Sequence, residues 1–163
     1  IVMGEPDGAT SPRLSALQGM MTQAGISAEI SDDIERTLWE KFVFLVGLSS
    51  TTTLMRTTLG PIRENPESRE FLHNVFRETV AVGRANGVDL PEDFADTRLP
   101  FADSLPVEMT SSMHHDFEAG NKLELPWLAG TVVRLGHEAG IETPVCQTVY
   151  AALLQHAGGR KTS

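Results

Sequence analysis

The chain has 163 residues, 40% of them hydrophobic and 21% charged, which supports one globular domain with a sizeable core and excludes a disordered tail. Thirteen Lys and Arg stand against 22 Asp and Glu, and the net charge of −9 argues against nucleic acid or an anionic membrane surface as the main partner. The longest unbroken apolar run reaches only from Phe42 to Leu48, too short for a transmembrane helix, and the lone Cys146 cannot form an internal disulfide.

The first residues, Ile1 to Gly8, read as a short strand running into a turn, with β-propensity in the apolar triplet and turn chemistry in Pro6-Asp7-Gly8. A strand needs a partner, and little of the remaining sequence alternates like one. The expectation is therefore that the chain is the C-terminal part of a larger protein. The start carries no cationic leader or cleavage pattern, so the expected location is cytoplasmic.

Pro and Gly then punctuate a series of helices. Ser11-Pro12 opens the first and Gly25 stops it. Ser31 caps the next, with Asp32, Asp33 and Glu35 in the first turn where the helix dipole favours carboxylates. This longest helix covers roughly residues 32 to 57, and its all-round apolar run from Phe42 to Leu48 predicts a path through the middle of a bundle. Gly47 inside that run allows a neighbouring helix to approach closely, at a cost of up to about 1 kcal/mol relative to Ala. Asn65-Pro66-Glu67 opens a helix that stops at Asn86-Gly87, and residues 88 to 105 hold a short helix flanked by loop. Pro106 to Ala119 and Pro126 to Ala139 are predicted helical. Thr143-Pro144 opens the last helix, which ends at Gly158-Gly159. The fold class is all-α, with one strand-like arm in front.

The chemistry carried by recognisable motifs is sparse. No G-x-G-x-x-G or G-x-x-x-x-G-K cradles a phosphate, and no G-x-S-x-G marks a nucleophile. The histidines show no metal-ligand spacing, and neighbouring His114 and His115 point about 100° apart on a helix, so no metal is expected. Lys41, just before the apolar run, is either a lysine that snorkels to solvent or a partly desolvated acid. Ser49, two turns on, can border the same groove as Lys41, and for Thr51, Thr52 and Thr53 the simpler reading is bonding back to the helix backbone. Thr110-Ser111-Ser112-Met113 places two serines inside a predicted helix, a mildly unfavourable choice that hints at a site. Glu124 stands between apolar neighbours just before a predicted helix N-terminus, whose dipole alone would favour a carboxylate there.

Taken in order, Gly4-Glu5-Pro6-Asp7-Gly8, Trp39-Glu40-Lys41-Phe42, Thr110-Ser111-Ser112-Met113 with Asp116, Leu123-Glu124-Leu125, Gly130 to Gly136, and Gly140-Ile141 with Thr143-Pro144 resemble the C-terminal domain of ketopantoate reductases (2-dehydropantoate 2-reductases) and their paralogues. The resemblance covers essentially the whole chain. It implies a helical bundle like the 6-phosphogluconate dehydrogenase C-terminal domain, preceded in the family by a Rossmann domain. Residues 1–30 would then be the trailing edge of that nucleotide-binding domain and 31–163 the helical substrate domain.

The implied activity is NADPH-dependent reduction of ketopantoate or a related small 2-keto acid, a step of pantothenate biosynthesis in the first case. Lys41 would be the general acid, Glu124 would lie near it and adjust its charge, and Ser111, with Ser49, would bind substrate. The implied partners are the keto acid and the chain's own Rossmann domain, which would hold most of the NADPH; homodimerisation is left open. Without that domain the chain would be catalytically silent. The family's asparagines four and eight residues after the lysine are here Leu45 and Ser49, and the one three residues before the serine is Glu108. These departures support an alternative, a non-catalytic helical dimerisation or binding domain of a reductase paralogue.

Overall fold

The computed structural model describes residues Ile1–Arg160, which divide into two compact units, Ile1–Lys41 and the chain from Phe42 onward. In the first unit, strand β1 (Val2–Met3) leads through a loop into helix α1 (Pro12–Gln23), followed by strand β2 (Glu29–Ile30). The strand at the start has its partner within the chain. β1 and β2 pair in parallel, Val2 against Glu29 and Met3 against Ile30, with Glu29 N donating to Ile1 O at 2.9 Å and Ser31 N to Met3 O at 2.8 Å. Sequence alternation could not reveal a pairing so short, because two residues show no period.

Pro12 opens α1 as expected, and the Ser11 hydroxyl accepts from Leu14 N at 3.2 Å. The loop before it is organised by Glu5, whose carboxylate accepts from the Ser11 hydroxyl and from Arg13, including Arg13 Nε at 2.7 Å. These donors hold the Glu5 carboxyl down to about 2, first through the Arg13 hydrogen bonds and then through Ser11.

Helix α2 (Ile34–Met55) runs from the first unit into the second. The cap differs by two residues from expectation: Asp33 Oδ1 accepts from Arg36 N at 2.9 Å, while Ser31 Oγ accepts from Asp33 N at 3.1 Å. Asp33 therefore does the helix capping and Ser31 shapes the turn before it.

The second unit continues with α3 (Leu59–Glu64), α4 (Pro66–Ala85), α5 (Phe94–Asp103), α6 (Ser112–Ala119), α7 (Ala129–Ala139) and α8 (Pro144–Leu153), closed by a 3-10 turn at Leu154–His156. The sequence reading missed α3. Its N-terminal amides are satisfied by a distant loop, Leu59 N donating to Met109 O and Gly60 N to Val107 O, both at 2.8 Å, a tertiary partnership without a local signal. Two predicted helices start later than expected. Pro106 to Ser111 is loop and turn, and Pro126 to Leu128 forms a turn before α7.

Helix α4 lies at the centre of this unit, packing against α3, α5, α7 and α8. Its Phe76 is fully buried beneath Gly47 of α2, where any Cβ would overlap the Phe76 ring. The close approach expected at Gly47 is thus real. From α4 also comes Glu78, whose two carboxylate oxygens accept from Val145 N and Cys146 N at 2.8 Å each, closing the N-terminus of α8 from across the bundle. Cys146 is fully buried, and burial pushes its thiol well above the ordinary range, which makes it an inert core residue.

Candidate active site

Helix α2 moves from surface to interior along its length. Lys41 and Leu45 are exposed, whereas every residue from Val46 to Thr53 is buried. The all-round burial expected at Phe42–Leu48 is therefore displaced toward the C-terminus, into a stretch whose second half is hydroxylic. Ser49 is only 5% exposed. Although it follows Lys41 by two turns, it lies inside while Lys41 lies outside. The ammonium of Lys41 enters none of the ion pairs among the described residues.

The hydroxyl cluster is a polar seam in an apolar core. Of the three threonines expected to bond back to the helix, only Thr52 does so, its Oγ1 donating to Leu48 O at 2.7 Å and standing 3.1 Å from Ser111 Oγ. The hydroxyls of Ser50, Thr51 and Thr53 are buried without a protein partner. Buried hydroxyls in that condition are uncommon, because each forfeits its hydration without a compensating bond.

Ser111 sits at the helix boundary, not in a helix interior. It is the N-cap of α6, 7% exposed, and its Oγ accepts from His114 N at 3.1 Å. With the Thr52 proton directed at Leu48 O, the Ser111 proton falls to Thr52 Oγ1. Its hydroxyl is thereby engaged in both directions, tying the start of α6 to α2. The next residue, Ser112, is exposed at the first helical position.

Glu124 is exposed between Leu123 and Leu125, which are buried at 2% and 0% exposure. That alternation forces its side chain outward. Its backbone carbonyl accepts from Trp127 N at 2.8 Å and Leu128 N at 3.1 Å, so it anchors the turn ahead of α7 and stands more than a turn before the helix, out of reach of the dipole effect expected for it. Trp127, 71% exposed, lies three residues from Glu124, and the exposed Leu38 and Leu45 lie three and four residues from Lys41 on either side. Glu108 is exposed in the loop before α6. Lys41 belongs to the first unit, and Ser49, Ser111 and Glu124 to the second.

The described residues do not form a dinucleotide cradle. The strand–loop–helix between β1 and α1 puts the Glu5 and Asp7 carboxylates where phosphates would need amides and positive charge. Among the described residues no group of His, Cys, Asp and Glu is arranged to hold a metal. The His114 and His115 rings lie parallel with centroids 6.0 Å apart, His114 buried and His115 exposed. No described helix is long and apolar enough to cross a membrane.

The second unit is built on the long helix α2, with the serine-capped helix α6 bonded to its buried stretch through Ser111 and Thr52. Residues 33–157 match the family described as ketopantoate reductase PanE/ApbA C terminal, and the chain belongs to that family. It is similar to an uncharacterized oxidoreductase, YkpB, of Bacillus subtilis, at 31% identity over 93% of this chain and 50% of the relative. A 2-dehydropantoate 2-reductase of Mesorhizobium japonicum is 30% identical over 91% of this chain and 45% of that protein. Among solved structures, a dimeric ketopantoate reductase from Staphylococcus aureus superposes with a TM-score of 0.85 at 25% identity, over 91% of this chain and 51% of that one. The chain thus spans about half the length of the relatives it matches.

Proposed function

We propose that this chain is the helical substrate domain of an NADPH-dependent oxidoreductase that reduces ketopantoate or a related small 2-keto acid to the 2-hydroxy acid. The observation that carries the reading is the family match over residues 33–157, which takes in every candidate residue, with Lys41 and Glu124 both presented to solvent. The reduced nicotinamide, held by a Rossmann domain that accompanies this one, supplies the hydride.

The residues of this chain supply the proton and the recognition. Lys41 Nζ donates a proton to the ketone oxygen and, as a cation, stabilises the negative charge growing there. Glu124 is the carboxylate that keeps the lysine charged and oriented. Ser49 and Ser111 belong to the substrate side. With Ser111 engaged by Thr52 and His114, it acts by holding the first turn of α6, and the exposed hydroxyl of Ser112 is the free donor beside it.

The test is NADPH consumption by the full-length protein against a panel of 2-keto acids that includes ketopantoate. Turnover is expected, and Lys41→Ala is expected to lower kcat by roughly 10²- to 10⁴-fold without loss of folding. Unchanged turnover in Lys41→Ala would sink the assignment.

A second reading, a non-catalytic binding or dimerisation domain, is favoured by Leu45, an exposed apolar residue one turn from Lys41 where the family has an amide. NADPH binding without turnover of any panel member would favour it. The named dimeric relative makes self-association part of that reading.

A further inference from the structure

Four turns of helix beyond Lys41, where α2 ends, the second unit holds a cavity of about 380 Å³ that the proposed reaction does not use. Arg56, Phe117, Asn121, His156 and Arg160 contribute to its wall, together with Glu118.

Arg56 is the one non-glycine residue with positive φ among the described residues, at +52°. It stands just past the last residue of α2, a place where glycine usually ends a helix. Its guanidinium lies 5.0 Å from the centroid of the Phe117 ring and makes no hydrogen bond or ion pair with any described residue, so its donors are unspent.

Arg160 is seated by a second special backbone position. Gly120 has φ +75°, and its missing Cβ leaves the space that Cδ and Nε of Arg160 occupy, 2.6 Å from where that Cβ would stand. The Arg160 amide donates to Gly120 O at 2.8 Å, while its Nη2 has only a 3.5 Å contact with the Glu118 carbonyl. The His156 ring meets Phe117 edge to face at 5.0 Å and stiffens the wall.

Glu118 Oε1 is 3.4 Å from His114 Nε2, and Asp116 Oδ1 accepts from Asn121 Nδ2 at 3.0 Å. Two arginines thus line one cavity whose lining holds a single acidic residue, Glu118, in a chain of net charge −9.

We propose that this cavity binds a small, doubly charged oxyanion, a phosphate monoester or a dicarboxylate, gripped by Arg56 and Arg160. Planar guanidinium forks match such oxyanions, and 380 Å³ has room for a small organic molecule carrying one.

The test is calorimetric titration of the protein with inorganic phosphate and, separately, with succinate, against sodium chloride at matched ionic strength. Saturable binding of at least one of the two, absent with chloride, is expected, and which one saturates identifies the headgroup. Arg56→Gly and Arg160→Ala should each weaken it by about 10-fold or more. Arg56→Gly places glycine where φ is positive and so relaxes the backbone, which keeps loss of binding separate from loss of fold. Failure of both anions to saturate, or affinity unchanged in both variants, overturns the proposal.

Discussion

Gly47→Ala tests whether close helix packing, rather than helix propensity, governs α2. In an isolated helix this substitution would stabilise by about 1 kcal/mol. Here the added methyl would overlap the Phe76 ring, lying 2.5 Å from Cδ1 and 3.1 Å from Cζ, where carbon atoms prefer about 3.5–4.0 Å. The ring cannot swing aside freely. Phe76 is fully buried and stacks on Phe44 at 6.2 Å, and Phe44 meets Phe101 at 4.9 Å. An overlap of this depth belongs at the upper end of overpacking penalties, about 3 kcal/mol, which leaves a net loss of about 2 kcal/mol after the propensity gain. For a domain of this size that corresponds to a Tm about 4–8 °C lower. Urea unfolding followed by circular dichroism measures the loss. In Gly47→Ala combined with Phe76→Leu, the two changes should cost less together than the sum of their separate effects, because the smaller side chain relieves the overlap. A Gly47→Ala protein as stable as the parent, or more stable, would refute the packing argument.

Other perturbations reach different parts of the molecule. Glu5, held at about 2 against an ordinary 4.5, binds its proton less readily when folded than when unfolded; its contribution is complete above pH 4.5 and lost as the pH falls toward 2, and Arg13→Ala should flatten that acid limb in a stability-against-pH series. Glu78→Ala leaves two amides at the start of α8 without their acceptor and should cost about 1–3 kcal/mol in denaturant unfolding, whereas Glu78→Gln, which keeps one acceptor oxygen, should cost less. Ser111→Ala should lower stability by about 1 kcal/mol through loss of the α6 cap, while Ser112→Ala should leave the melting curve alone and raise KM for the keto acid in the full-length protein.

The architecture was largely legible because its signals are local. Ser11-Pro12, Asn65-Pro66 and Thr143-Pro144 start helices where the structure starts them, and Gly25, Gly87, Gly120 and Gly140 stand just past helix ends with positive φ. Each depends on the conformational limits of one or two residues, which no tertiary contact has to supply. The α2 cap and the start of α7 shifted within local turns, whereas two other departures have distant partners. Helix α3 is completed by carbonyls from the loop at 107–109, and the start of α6 is set by a serine whose hydroxyl reaches across to Thr52.

Candidate site residues divided in the same way. Residue type and order picked out Lys41, Ser49, Ser111 and Glu124, and the resemblance carried by the motifs around them is upheld by the family match. Periodicity placed Ser49 beside Lys41, yet one is buried and the other exposed, because α2 enters the core between them. A 3.6-residue repeat defines faces of a helix but not which part of its length its neighbours cover. Arg56 and Arg160 had no local signal at all. Their convergence depends on a left-handed residue at the end of one helix and on a glycine that leaves room for an arginine from far along the chain. The sequence by itself determined where this chain turns helical and which family it resembles; only the tertiary structure decided which hydroxyls are buried, which charges stay unpaired and where they meet, since those depend on contacts between residues that the chain order keeps apart.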